Sequence, residues 1–197
     1  MNNSLKIKKM VGIASLAAIV AVLQLIANYI TFGPVSITLA LIPLIIGAIL
    51  YGPSGGAILG GLMGLIILTA PSTGSFLAIN PIVTVLLCVI KTSVAGMVSG
   101  YIFKGLRKIN LKLGVVLASI AAPLVNTGIF AVGCILFYMP TIATWAGEGA
   151  NAYAFLFLSM IGINFIIEFV INSVLSPIVL YIVKIISTNF NMGTNLD

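Results

Sequence analysis

Lys91 and Glu168 are the residues of this sequence best suited to chemistry, because each stands alone inside a long apolar run. An ionised side chain in apolar surroundings needs a partner charge or a wet cavity. Two readings are open. Lys91 and Glu168 form a buried ion pair between helices, or Lys91 meets an anionic group on a ligand and Glu168 shares it. Asn164, Glu168 and Asn172 are spaced i, i+4, i+8, so a helix carries them on one face. Asn126 is the matching amide on the preceding apolar run. One amide inside a helical bundle means little, since it bonds a neighbouring helix for about 0.6 kcal/mol. A stripe of polar groups beside a lysine points to a polar cavity. Asn80 ends a polar loop and Asn28 ends the first apolar run. Thr73, Ser75 and Phe76 in that loop are suited to covering a small ligand, as are Trp145, Glu148, Asn151 and Tyr153 in a later one. Trp145 and Tyr153 suit anchoring at a membrane surface equally well.

These residues sit in a chain of 197 residues, of which 61% are apolar and 6% charged, with a mean hydropathy of +1.28. Average soluble domains carry roughly 25% charge. A soluble globular protein and a disordered chain are both excluded. Histidine is absent, which removes most zinc sites, histidine-based triads and histidine proton relays. Cys88 and Cys134 lie deep in apolar runs and act as small hydrophobes. No P-loop, HExxH motif, close carboxylate pair, arginine-rich helix or potassium-type filter occurs. No metal or cofactor is expected, and an enzyme has no nominated catalytic residues.

What remains is an all-α, polytopic integral membrane protein forming a single membrane domain over residues 1–197. The length suits about six spans of about 20 residues. Apolar runs cover about Met10–Ile30, Ile37–Leu50, Gly55–Thr69, Pro81–Phe103, Leu113–Tyr138 and Tyr153–Ile186. Gly33-Pro34, the Tyr51–Ser54 turn, the loop 70–80, the basic link 104–112 and the loop 139–151 separate them. The net charge of +6 reports topology here and not nucleic-acid binding. Lys6, Lys8 and Lys9, then Lys104, Arg107, Lys108 and Lys112, then Lys184 all fall on one face of a six-span chain. The positive-inside rule makes that face cytoplasmic, with the N-terminal segment 1–9 and the tail 187–197 on it. The loops at 31–36, 70–80 and 139–152 are then external, and none contains Lys or Arg.

Small residues recur at helical spacing: Gly56, Gly60 and Gly64, then Gly96 and Gly100, then Ala14 and Ala18. Small residues at i, i+4 let two backbones approach where lipid offers no hydrophobic drive. The glycines fit packing within the bundle, whereas the alanines on the first helix fit docking of another molecule.

The whole layout resembles the substrate-binding S component of energy-coupling factor (ECF) vitamin transporters. The resemblance lies in a lysine-rich N-terminus leading into Ala14-Ser15-Leu16-Ala17-Ala18, which is similar to the family's AxxxA motif. It extends through Ile42–Pro53 and Gly55-Gly56-Ala57, Ser75-Phe76, Asn80-Pro81, Lys91 ahead of Ala95-Gly96 and Gly100-Tyr101, and Asn172–Pro177. Lys91 falls where folate-type relatives tend to carry a basic residue.

The resemblance implies a cell-membrane protein that captures a water-soluble vitamin from outside under lid loops. It implies partners as well: a transmembrane coupling subunit and two cytoplasmic ATPase subunits. Ala14 and Ala18 are then the docking surface. Lys91, Asn126, Asn164, Glu168 and Asn172 are pocket candidates, beneath Asn80, Thr73, Ser75, Phe76 and Trp145. A cation in the pocket favours an anionic vitamin. Phe165 is the only aromatic residue expected near the stripe, which leaves little stacking surface for a flat ring. Pantothenate is therefore the first expectation, with folate, riboflavin and cobalamin as alternatives. A stand-alone secondary transporter or channel competes with this reading, but no inverted repeat supports it.

Overall fold

The computed structural model describes residues 3–190 except 33, 34, 37 and 39, and omits the side chains of 3–5, 31, 32, 35, 36 and 187–190. The expected break at Gly33-Pro34, the start of the second run at Ile37 and the end of the tail lie outside the described residues. The elements in order are α1 (Asn3–Ala27), a two-residue antiparallel pair β1 (Thr31–Phe32) and β2 (Val35–Ser36), α2 (Leu41–Ile67), α3 (Pro71–Ile79), α4 (Pro81–Leu106), α5 (Leu111–Phe137), α6 (Met139–Ala146), α7 (Ala152–Ala154) and α8 (Ile163–Phe190). A π-helical stretch, Phe155–Gly162, joins α7 to α8. Five helices among the described residues are long and apolar enough to cross a membrane.

The ends of these helices follow from local chemistry. Asn80 caps α4 by accepting from Val83 N–H at 3.2 Å, and Pro81 follows at the first helical position. Asn110 caps α5 in the same way through Leu113 N–H at 3.1 Å. Two expected loops contain helix. Residues 70–80 fold as α3, which Pro71 starts and Thr73 secures by donating to the Ile67 carbonyl at 2.9 Å. Residues 139–151 fold in part as α6. Backbone groups near an apolar medium lack water as a partner, so a helix is the cheaper conformation for both connections.

The expected second and third spans fall within the single element α2, which is broken at Gly52. Gly52 has φ 81° and ψ −177°, a conformation close to glycine-only. The chain reverses there. A Cβ added at Gly56 would lie 2.7 Å from that of Ala48, and one added at Gly47 would collide with Leu59. In a straight helix positions 48 and 56 would stand about 12 Å apart. The two arms, 41–51 and 53–67, are therefore antiparallel neighbours. In the first arm every residue except Ile42 is buried. It forms the centre of the bundle, and α1, α4 and α8 pack around the hairpin. Replacing Gly52 with alanine is expected to cost about 1–3 kcal/mol, the strain of a side chain in that conformation. A thermal melt in detergent checks this, and an unchanged midpoint would mean the reversal does not need glycine.

The glycine ladder is internal, as expected of bundle packing. Gly56, Gly60 and Gly64 of α2 lie against Gly96, Thr92 and Cys88 of α4, backbone on backbone. Gly100 meets Pro53 at the hairpin tip. At the far end, Asn28 donates to the Ile66 carbonyl and to Thr69 Oγ1, both at 3.0 Å, and accepts from Gln24 at 2.9 Å. Asn28 thus ties α1 to α2 and stays clear of the polar stripe. Ala14 and Ala18 are exposed on α1, in line with Val11, Ser15 and Val22.

Candidate functional site

The polar residues meet in a cavity of two adjoining lobes, and Thr38, Lys91 and Phe130 line both. Counting space open to solvent, the lobes measure about 450 and 330 Å³. The free space inside each is about 30 Å³, room for a water or two, so the side chains lining the lobes must move apart to admit a larger molecule.

The first lobe is aromatic and hydroxylic. α4 supplies Thr84, Leu87, Cys88 and Lys91, whose spacing puts them on one helical face. α3 adds Ser72, Thr73 and Phe76, and Tyr138 closes the end of α5. Phe76 is the hub of an edge-on aromatic cluster. Its ring centroid lies 5.8 Å from Phe130, 5.2 Å from Tyr138 and 5.4 Å from Trp145. Such edge-to-face pairs contribute about 0.5–1.5 kcal/mol beyond their burial and fix ring directions. Thr84 and Tyr138 share a 2.7 Å hydrogen bond, and the Tyr138 hydroxyl also donates to the Asn80 carbonyl at 3.3 Å.

The second lobe is more polar. Asn126, Thr127 and Phe130 come from α5; Met160 and Ile161 from the π-helical stretch; Asn164, Phe165 and Glu168 from α8. Glu168 accepts from the backbone N–H of Thr38 at 2.7 Å and from the Thr38 hydroxyl. The Asn126 amide and the Lys91 charge also act on the Glu168 carboxyl. Asn164 donates to the Met160 carbonyl at 3.1 Å, inside the widened turns of the π-helix. π-helical turns are rare and are found most often at functional sites.

Lys91 is the central group. It is 6% exposed, and its Nζ lies 4.6 Å over the Phe130 ring. Among the described residues it makes neither a hydrogen bond nor an ion pair, so of the two open readings the direct pair with Glu168 is not the one formed. A cation–π contact of ~2 kcal/mol when desolvated does not offset the several kcal/mol needed to bury an ammonium.

The structure brings Lys91, Asn126, Asn164, Glu168, Thr73 and Phe76 to the cavity. It does not bring the other expected residues. Asn172 is buried, but its amide donates to the Glu168 carbonyl at 2.7 Å within its own helix. Ser75 is exposed, and Ser72 lines the cavity in its place. Asn80 is a helix cap, and Trp145 meets Phe76 edge-on without lining either lobe. Glu148, Asn151 and Tyr153 are exposed, and Asn151 caps α7. The expected shortage of aromatic surface is overturned by Phe76, Phe130 and Tyr138. Sequence reasoning missed Phe130 and Tyr138, although Asn126, Phe130, Cys134 and Tyr138 recur every four residues along one face of α5. Thr38 carried no signal at all, because only the return of the chain between α1 and α2 brings it to Glu168.

One family model matches the chain over residues 8–180: the ECF transporter, substrate-specific component. The chain belongs to that family. It is a multi-pass membrane protein and a transporter subunit of the kind that binds a small-molecule substrate and works with an ECF module. No curated protein and no solved structure matches this S component.

Proposed function

We propose that this S component captures a small, anionic, water-soluble vitamin in the two-lobed cavity and delivers it through its coupling module. The observation that carries the reading is Lys91: an ammonium buried between both lobes that makes no ion pair among the described residues. A ligand carboxylate or phosphate supplies the missing partner and relieves the burial cost.

The chain crosses the membrane six times, with the arms of α2 as the second and third crossings. Both termini are cytoplasmic. Lys104, Arg107, Lys108 and Lys112 cluster around the turn from α4 to α5, at the far end of α4 from Thr84 and Cys88, and Lys184 stands toward the opposite end of α8 from Asn164 and Glu168. By the positive-inside rule the cavity lies in the external half, with α3 and α6 above it. Pantothenate, a small carboxylate, remains the first candidate. The aromatic cluster around Phe76 favours a second reading, a ring-bearing acid such as folate.

Ala14 and Ala18 form the docking surface for the transmembrane coupling subunit, which two cytoplasmic ATPases drive. Both are exposed, and their small side chains let a partner helix approach closely. Ala14→Trp is expected to leave vitamin affinity within a factor of about two and to stop uptake by the assembled complex. Lost binding with preserved uptake would reverse the roles given to α1 and to the cavity. The test of the function itself is native mass spectrometry of the mildly solubilised protein, followed by identification of the released small molecule. A stoichiometric acidic vitamin supports the reading. An empty protein whose melting temperature no vitamin raises would sink it.

A further inference from the structure

The cavity has a second end that no simple anion satisfies. Asn126 is 4% exposed, and its Oδ1 has no hydrogen-bond partner among the described residues. Its amide faces Glu168, so the bare oxygen stands beside a carboxyl group already held by Thr38. Both groups are electron-rich acceptors lining the second lobe, and Glu168 makes no ion pair with Lys91 among the described residues. A buried acceptor left without a donor costs about 1–3 kcal/mol. A monofunctional acid that satisfied Lys91 would leave that cost in place, and its apolar body would desolvate Glu168 further.

We infer that the ligand is bipolar: an acidic group for Lys91, and at its other end an N–H or O–H donor for Asn126 Oδ1 and Glu168. The inference rests on the reading that this cavity is the capture site. Three features support it together. Thr38, Lys91 and Phe130 line both lobes, so one molecule touching all three extends from the aromatic lobe into the acceptor lobe. The Phe130 face, which now carries the ammonium, gives the middle of that molecule an apolar surface. The π-helical stretch sets Met160 and Ile161 against the acceptor end, where they exclude water and sharpen the demand for a donor.

The test is a panel of titrations on the purified full-length chain in nanodiscs. Pantothenate, biotin and folate are acids with N–H or O–H donors remote from the acid. Lipoate is an acid on an alkyl chain without such donors, and panthenol keeps the donors of pantothenate without the acid. At least one donor-bearing acid is expected to bind, and lipoate to bind about 30-fold or more weakly than it, the size of one unsatisfied buried acceptor. Asn126→Leu is expected to weaken the best donor-bearing acid about 10–100-fold while the ligand-free melting temperature stays level or rises. Lipoate binding as tightly as the best donor-bearing acid overturns the inference and leaves the anionic-capture reading standing. Unchanged affinity in a folded Asn126→Leu protein does the same. If Asn126→Leu does not fold, the comparison of lipoate with the donor-bearing acids on the unaltered chain decides. Binding of panthenol as tight as that of pantothenate overturns the acid half, and with it the anionic-capture reading. No binding by any of these compounds sinks both.

Discussion

Replacing Lys91 with methionine is expected to abolish vitamin capture and to raise the melting temperature of the empty protein. Both effects have the same cause. Lys91 is buried, its ammonium rests on the Phe130 ring, and it has no acceptor among the described residues. Breaking a desolvated pair between an anionic ligand and this cation costs about 2–5 kcal/mol or more, which is roughly 30-fold to several-thousand-fold in affinity. Without ligand the sign reverses. Exchanging unpaired buried charge for an apolar side chain of similar length is neutral or stabilising, by about 1–4 kcal/mol. Titration with the released vitamin and a melt of the empty protein read the two effects separately. A structural lysine would give the opposite melt: Lys91→Met would unfold more easily. Normal affinity in the variant would remove Lys91 from the site.

Gly60→Val is expected to prevent folding, or to cost about 3 kcal/mol or more if the protein still folds. A Cβ at Gly60 would collide with the Thr92 carbonyl and come within 2.8 Å of Ser93 Cα, which are backbone atoms and cannot swing away. The hairpin and α4 would have to separate along the whole ladder from Gly56 to Gly64. Lys91 is next to Thr92, so any shift there also moves the ammonium within the cavity. Gly128→Ala on α5 is the matched control. Nothing lies within 4 Å of the Cβ it adds, and alanine favours helix over glycine by about 1 kcal/mol. Folded yield and melting temperature should therefore move in opposite directions for the two variants. A well-folded Gly60→Val protein would mean that α2 and α4 do not touch as described.

Several residues of the candidate cavity were legible because their signals are local. A lone charge in an apolar run is costly wherever it sits, so Lys91 and Glu168 stand out in the sequence before any fold is known. Helical spacing alone puts Asn164 and Glu168 on one face. The same spacing misleads at Asn172. It is on the same face, but it is one turn deeper, and its amide is used by the Glu168 carbonyl. Periodicity gives direction around a helix and does not say how far along it a cavity extends. Ser75 and Ser72 differ in the same manner, since α3 turns one toward the cavity and the other away.

By itself the sequence determined the class of protein, the apolar segments, the helical packing role of the glycines and the two charges that need an explanation. Those properties depend on composition and on neighbours three or four residues away. Only the tertiary structure decided that Lys91 and Glu168 share a lobe and, among the described residues, form no ion pair. It decided as well that Gly52 folds 41–67 into a hairpin, that Thr38 returns to hold Glu168, and that Phe76, Phe130 and Tyr138 converge on one lobe. These contacts join residues up to 130 positions apart along the chain. Their geometry depends on how the helices cross and on where the connections fold back, and no local pattern encodes that distance.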